Sequence, residues 1–204
     1  MEIVKMEQEK PKEKILKILL KDFLREYTLT AITQNIGMTR SGTWKVLKKL
    51  ENQGFIVLTA IGEGKTSAYK ISLNWNNLLI KSTLITLLTK EALNYERWRD
   101  NFKKLEKHTL FTVLFGSILH SQKQANDIDI LVVVEEGKNF KAVDSIIVEA
   151  QQVQIKKIHS IDLTKNELKT ELKNGNKAYI EALKKGIVLF GQENFISFIK
   201  EISK

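Results

Sequence analysis

The sequence predicts an α+β protein in two domains. Three observations lead there. Helix-period apolar stripes and β-like runs alternate over residues 12–73. An uninterrupted helical pattern follows over 74–108. From residue 109 onward, β-like apolar runs are interleaved with helical segments once more. The 204 residues are enough for one large or two small domains.

Composition narrows the class. The chain is 43% hydrophobic and 28% charged, as expected of a globular protein in water. It has no cysteine, which excludes both a disulfide framework and a thiolate metal site. The three histidines are scattered and show no ligand spacing. The polar start MEIVKMEQEKPKEK does not read as a signal peptide. No apolar run approaches the ~20 residues that a membrane span needs. The expectation is a cytoplasmic protein with no membrane partner. The net charge of +9 favours a polyanionic partner. Within residues 38–70, Arg40, Lys45, Lys48, Lys49, Lys65 and Lys70 face only Glu51 and Glu63.

The elements follow in order. In residues 12–24, Ile15, Leu19 and Phe23 recur every fourth residue beside Leu16 and Leu20, a single apolar helical stripe. The segment 25–29 is short and strand-like. Thr30 is placed to cap a short helix, AITQNI, with Leu29, Ile32 and Ile36 inward and Gly37 as its stop. Thr39 caps the next helix, RSGTWKVLKKLENQ, whose inner face is Val46, Leu47 and Leu50. Two β-rich runs, FIVLTAI and TSAYKISL, flank GEGK and read as a hairpin with a basic tip.

This order, and the stretch IGMTRSGTWKVLKKLENQGFI in particular, resembles the winged helix-turn-helix superfamily of transcription regulators. The resemblance covers residues 12–73 and implies binding to double-stranded DNA. The second helix of the pair would enter the major groove. Arg40, Ser41, Thr43 and Lys45 would then face bases or phosphates, with Lys48 and Lys65 as phosphate contacts. Two alternatives remain open. The lysines can be a solvated helix face, and Trp44 can stack in the groove or pack against the first helix or the hairpin.

Residues 74–108 read as one helix with an apolar stripe of Leu79, Ile80, Leu84, Leu87 and Leu88. Tyr95, Trp98 and Phe102 form a second stripe. Such a helix either dimerises at a two-fold interface or packs over the core of one domain. Regulators of this type mostly bind as homodimers.

The second domain turns on an oddity. TLFTVLF is followed by Gly116-Ser117, then ILHSQKQAN, then Asp127-Ile-Asp129 and ILVVV. Period two puts both aspartates on one strand face, where like charges repel. A bound Mg²⁺ would neutralise them. Gly116 lets backbone approach a phosphate, and Ser117 offers a hydroxyl and an N–H at the start of the next segment. Gly116, Ser117, Asp127 and Asp129 between two apolar runs resemble the minimal nucleotidyltransferase domain of the DNA polymerase beta superfamily. The resemblance extends over residues 105–200. It implies a mixed sheet with helices, an NTP held at Gly116 and Ser117, and Mg²⁺ on Asp127 and Asp129 polarising an acceptor hydroxyl. A protein partner is plausible as well, since toxin–antitoxin pairs contain such minimal transferases.

Active members add a third carboxylate on the strand after the intervening helix. Here that strand reads VQIKKIHSIDL. With Val153 and Ile155 inward, Gln154 and Lys156 face the cleft, and neither is an acid. Asp162 is the weak remaining candidate and needs a bulge to reach in. Two functions are therefore expected. One is a DNA-binding regulator with an appended nucleotidyltransferase-like domain. The other is an active nucleotidyltransferase targeted by its winged helix.

Overall fold

The computed structural model of the chain describes residues 9–62 and 68–203. It is a mixed α+β structure in two compact units, residues 1–84 and 85–204.

The first unit opens with α1 (Pro11–Lys21), which buries Ile15, Leu16 and Leu20. The strand β1 is only Tyr27–Thr28. Thr28, not Thr30, caps α2 (Leu29–Ile36), its hydroxyl accepting from the Ala31 N–H at 3.4 Å. The helix therefore starts two residues before the expected one. Gly37 ends it in the left-handed region at φ 70°, which a side chain would strain. Thr39 caps α3 (Arg40–Asn52) by accepting from the Gly42 N–H at 3.2 Å. The antiparallel hairpin β2 (Ile56–Ile61) and β3 (Ala68–Leu73) follows, and β3 pairs with β1 as well, giving the sheet order β1-β3-β2. The tip with Lys65 lies outside the described residues.

One feature of this unit has no sequence signal. The Tyr27 hydroxyl donates to Asp22 Oδ2 at 2.6 Å, with both residues buried. Burial, reinforced by the adjacent carboxylate, pushes the phenol up to about 12. The pair ties the end of α1 to the start of the sheet.

The expected single helix over 74–108 is broken. The asparagines of NWNN form turns instead: Asn74 Oδ1 accepts from the Asn76 N–H, and Asn77 Oδ1 from the Leu79 N–H at 2.7 Å. Helix α4 (Ile80–Leu93) starts only after them and carries the chain across the unit boundary. It stops where the N–H groups of Asn94 and Tyr95 close tight turns onto Glu91 and Ala92. A shorter α5 (Glu96–Phe102) and a 3₁₀ turn (Lys103–Lys107) complete the segment. Residues 85–108 thus belong to the second unit and not to a separate connector. Of the expected stripe, Ile80, Leu84, Leu87 and Leu88 are buried within the single chain, and Leu79 is exposed. Trp98, Phe102 and Leu105 join the core of the second unit.

That unit is built on a four-stranded mixed sheet in the order β6-β5-β4-β7. Strand β4 (Phe111–Phe115) runs antiparallel to both β5 (Asp127–Val134) and β7 (Ile187–Phe190). Strand β6 (Lys157–Thr164) is parallel to β5, which requires the crossover through α6 (Phe140–Gln152). Alternate residues Ile128, Ile130, Val132 and Val134 of β5 are buried in one core with Val143 and Ala150 of α6. Helices α7 (Lys165–Lys173), α8 (Lys177–Lys185) and α9 (Gln192–Ile202) complete the unit. Thr164 caps α7 in a reciprocal box with Glu167. No helix among the described residues is long and apolar enough to cross a membrane.

The Thr39 cap fixes where α3 begins. Thr39→Ala is expected to cost about 1 kcal/mol in chemical denaturation, because the Gly42 N–H loses its acceptor.

Candidate functional site

The site is assembled at one end of the second sheet. Strand β4 ends at Phe115, which pairs with Asp129 across the antiparallel ladder. The next residue, Gly116, has φ 81° and ψ −161°, a conformation open essentially to glycine alone. A Cβ built there would lie 2.1 Å from Asp129 Oδ2. The backbone of Gly116 therefore seats the Asp129 carboxylate by direct approach. Ser117 begins a 3₁₀ turn (Ser117–Leu119) and is exposed beside it.

Strand periodicity does the rest. With Ile128 and Ile130 in the core, Asp127 and Asp129 share the opposite face and are half-buried. On the parallel neighbour, His159 is in register with Asp129, and Lys157 with Asp127. The imidazole reaches both acids: His159 Nδ1 lies 3.2 Å from Asp127 Oδ2 and 3.6 Å from Asp129 Oδ1. One ligand atom from each of the three residues falls within 4.8 Å of the others. Burial and the neighbouring Asp127 hold the Asp129 carboxyl above its ordinary range, while His159 pulls it the other way. The imidazole thus offsets part of the cost of two adjacent carboxylates on this strand, while burial and Asp127 outweigh it at Asp129.

Several expected positions fall elsewhere. Strand β6 begins at Lys157, so Val153 and Ile155 precede it and are exposed, not inward. Lys156 does not enter the cleft. Its ammonium donates to the Ala125 carbonyl. Asp162 is in register with Val132, on the face opposite the aspartate pair, and hydrogen-bonds the Ser160 hydroxyl. Register parity alone removes it from the site, since no bulge interrupts the β5–β6 pairing over 127–134. The residue missed in the sequence was His159. Starting the strand at Lys157 with Ile158 inward would have found it on the aspartates' face.

In the first unit, Arg40, Ser41, Lys45 and Lys48 are all exposed on α3. Arg40 donates to Thr30 Oγ1 at 3.2 Å. Lys48 pairs with Glu51 at 2.8 Å and lies 5.1 Å from the Trp44 ring centroid. Thr43 is not on the outward face. It is fully buried, its hydroxyl donating to the Thr39 carbonyl at 2.9 Å. Trp44 packs against the hairpin, its ring 5.6 Å from that of Tyr69 on β3.

The chain matches no protein-family model, no curated protein and no solved structure. Its residues and their geometry are therefore what a functional reading rests on.

Two outcomes test this geometry. Gly116→Ala is expected to cost about 1–3 kcal/mol, the usual range for a side chain forced into a glycine-only conformation. Thermal unfolding measures it. Asp162→Asn tests the opposite face. Burial raises the Asp162 carboxyl above its ordinary 3.8. The native state therefore holds that proton more tightly than the unfolded chain, and its contribution to stability is lost as pH rises through the raised value. The Asn variant is expected to match the parent below pH 3.8 and to be the more stable of the two at neutral pH.

Proposed function

We propose that the chain is a DNA-binding transcription regulator. Its first unit is a winged helix that reads duplex DNA. Its second unit is a nucleotidyltransferase-like domain that binds a nucleotide beside Gly116 and Ser117.

The observation that carries this reading is the face of α3. The helix is capped at Thr39 and anchored by buried Thr43, Leu47 and Leu50, and it presents Arg40, Ser41 and Lys45 outward. Its Trp44 is packed on the hairpin, so the basic helix and the hairpin are held as one surface. That combination suits a helix laid in the major groove with a hairpin on the adjacent backbone. Lys48, tied to Glu51, is the weaker contributor, because its charge is already partnered. In the second unit, the backbone of Gly116 seats the Asp129 carboxylate, and the exposed Ser117 beside it offers a hydroxyl to a phosphate group. The unit binds the nucleotide without transferring it, because the in-register neighbour of Asp129 on β6 is His159, not an acid, and Asp162 faces away.

The test is fluorescence anisotropy of a labelled duplex over a series of salt concentrations. Affinity is expected to fall steeply as salt rises, since each neutralised phosphate releases counterions. Lys45→Ala should weaken binding and reduce the slope of log K against log salt by about 1. Arg40→Ala should weaken it too. An absence of duplex binding at low salt, or binding that ignores salt, would overturn the proposal.

A further inference from the structure

The resemblance to nucleotidyltransferases implies magnesium, and the donor set at this site does not fit it well. Magnesium demands near-octahedral oxygen coordination and keeps several waters. Here the converging donors are two carboxylate oxygens and an imidazole nitrogen, from Asp127, Asp129 and His159. Imidazole nitrogen prefers zinc, iron, nickel and their first-row neighbours.

We infer that Asp127, Asp129 and His159 form a binding site for a single first-row transition-metal dication of the zinc kind, not for magnesium.

Three features of the geometry carry the inference. The first is spacing. Two donors each ~2.1 Å from one ion, at angles between a right angle and the tetrahedral value, lie roughly 3.0–3.4 Å apart. His159 Nδ1 is 3.2 Å from Asp127 Oδ2 and 3.6 Å from Asp129 Oδ1, close to that spacing for both histidine–carboxylate pairs, and all three donors lie within 4.8 Å of one another. The second is preorganisation. The donors sit on adjacent hydrogen-bonded strands whose register is continuous from Asp127 to Val134. Asp129 is further held by the close backbone of Gly116. The third is openness. His159 is exposed and both acids are half-buried, which leaves room for water or a ligand to complete the coordination. Three protein ligands with an open position is the pattern of catalytic and ligand-binding sites rather than of closed structural ones.

The inference is independent of DNA and nucleotide. Metal bound without any nucleotide affinity would leave it standing and would fail the nucleotide part of the proposed function.

The test uses the full chain without a histidine tag, in chelator-treated buffer above the ordinary imidazole pKa of about 6.5. Isothermal titration with Zn²⁺ and visible absorption with Co²⁺ read binding directly. One ion per chain is expected, with Co²⁺ bands in the visible and no displacement by excess Mg²⁺. His159→Asn and Asp127→Asn should each weaken binding by on the order of 10- to 100-fold or more, since even outer-shell partners of a metal cost that much. Circular dichroism confirms that each variant is folded. His159→Asp, which rebuilds an all-oxygen set, should shift preference toward Mg²⁺ or Mn²⁺ and gives a gain that misfolding cannot mimic. Binding that His159→Asn leaves unchanged would overturn the inference. So would displacement by equimolar Mg²⁺, or no Zn²⁺ or Co²⁺ binding at all; in the last case the imidazole acts only as a polar neighbour of the two acids.

Discussion

Two carboxylates on one strand face share one imidazole, and the second unit is organised so that they can. Asp127 and Asp129 cannot be separated, because the pleat fixes them on the same side of β5. Moving either inward would put a charge among Ile128, Ile130 and Val132. Compensation has to come from the neighbouring strand. The parallel register of β6 supplies it at His159, and the crossover through α6 makes that register available. On the other side, Gly116 closes over Asp129 without a side chain. A hydrophobic strand thus tolerates an acidic end through two neighbours, His159 and Gly116, each set by backbone geometry.

The first unit solves a related problem differently. Asp22 and Tyr27 are both buried, and a hydrogen bond between them spares the carboxylate an unpartnered burial. The hydroxyl of Thr43 is likewise satisfied by the carbonyl of its own cap residue. In each of these two cases a buried polar group has a specific partner. In α3 this frees the opposite face for Arg40, Ser41 and Lys45.

Much of the element order could be read from residues. The Thr39 cap, the Gly37 stop and the shared face of Asp127 and Asp129 all have short-range causes: a cap, a positive φ, period two. What escaped reading depended on longer-range or competing local effects. The asparagines at 74–77 prefer turns closed by their own side chains, and no helical periodicity downstream reveals that. Strand β7 is only four residues long, and its pairing with β4 has no local cue. The position of His159 required knowing where β6 begins. The apolar Val153 and Ile155 invited an earlier start, although both are exposed in the turn before the strand. Thr43 was misplaced for a smaller reason: a hydroxyl on a helix otherwise lined with lysines reads as outward when it is in fact bonded back to the preceding turn.

The strand that provides His159 is also the outermost strand of its sheet. An outer strand of eight residues has one edge without a strand partner, and Gln151 of α6 accepts from the Ile158 N–H near its start. Along β6, Lys157, His159, Ser160 and Asp162 interrupt what would otherwise be an apolar ribbon. Charge at such an edge discourages strand-to-strand polymerisation. The residues of KIHSIDLT therefore do double duty, and trimming them toward a more hydrophobic strand would expose the molecule to fibrous self-assembly.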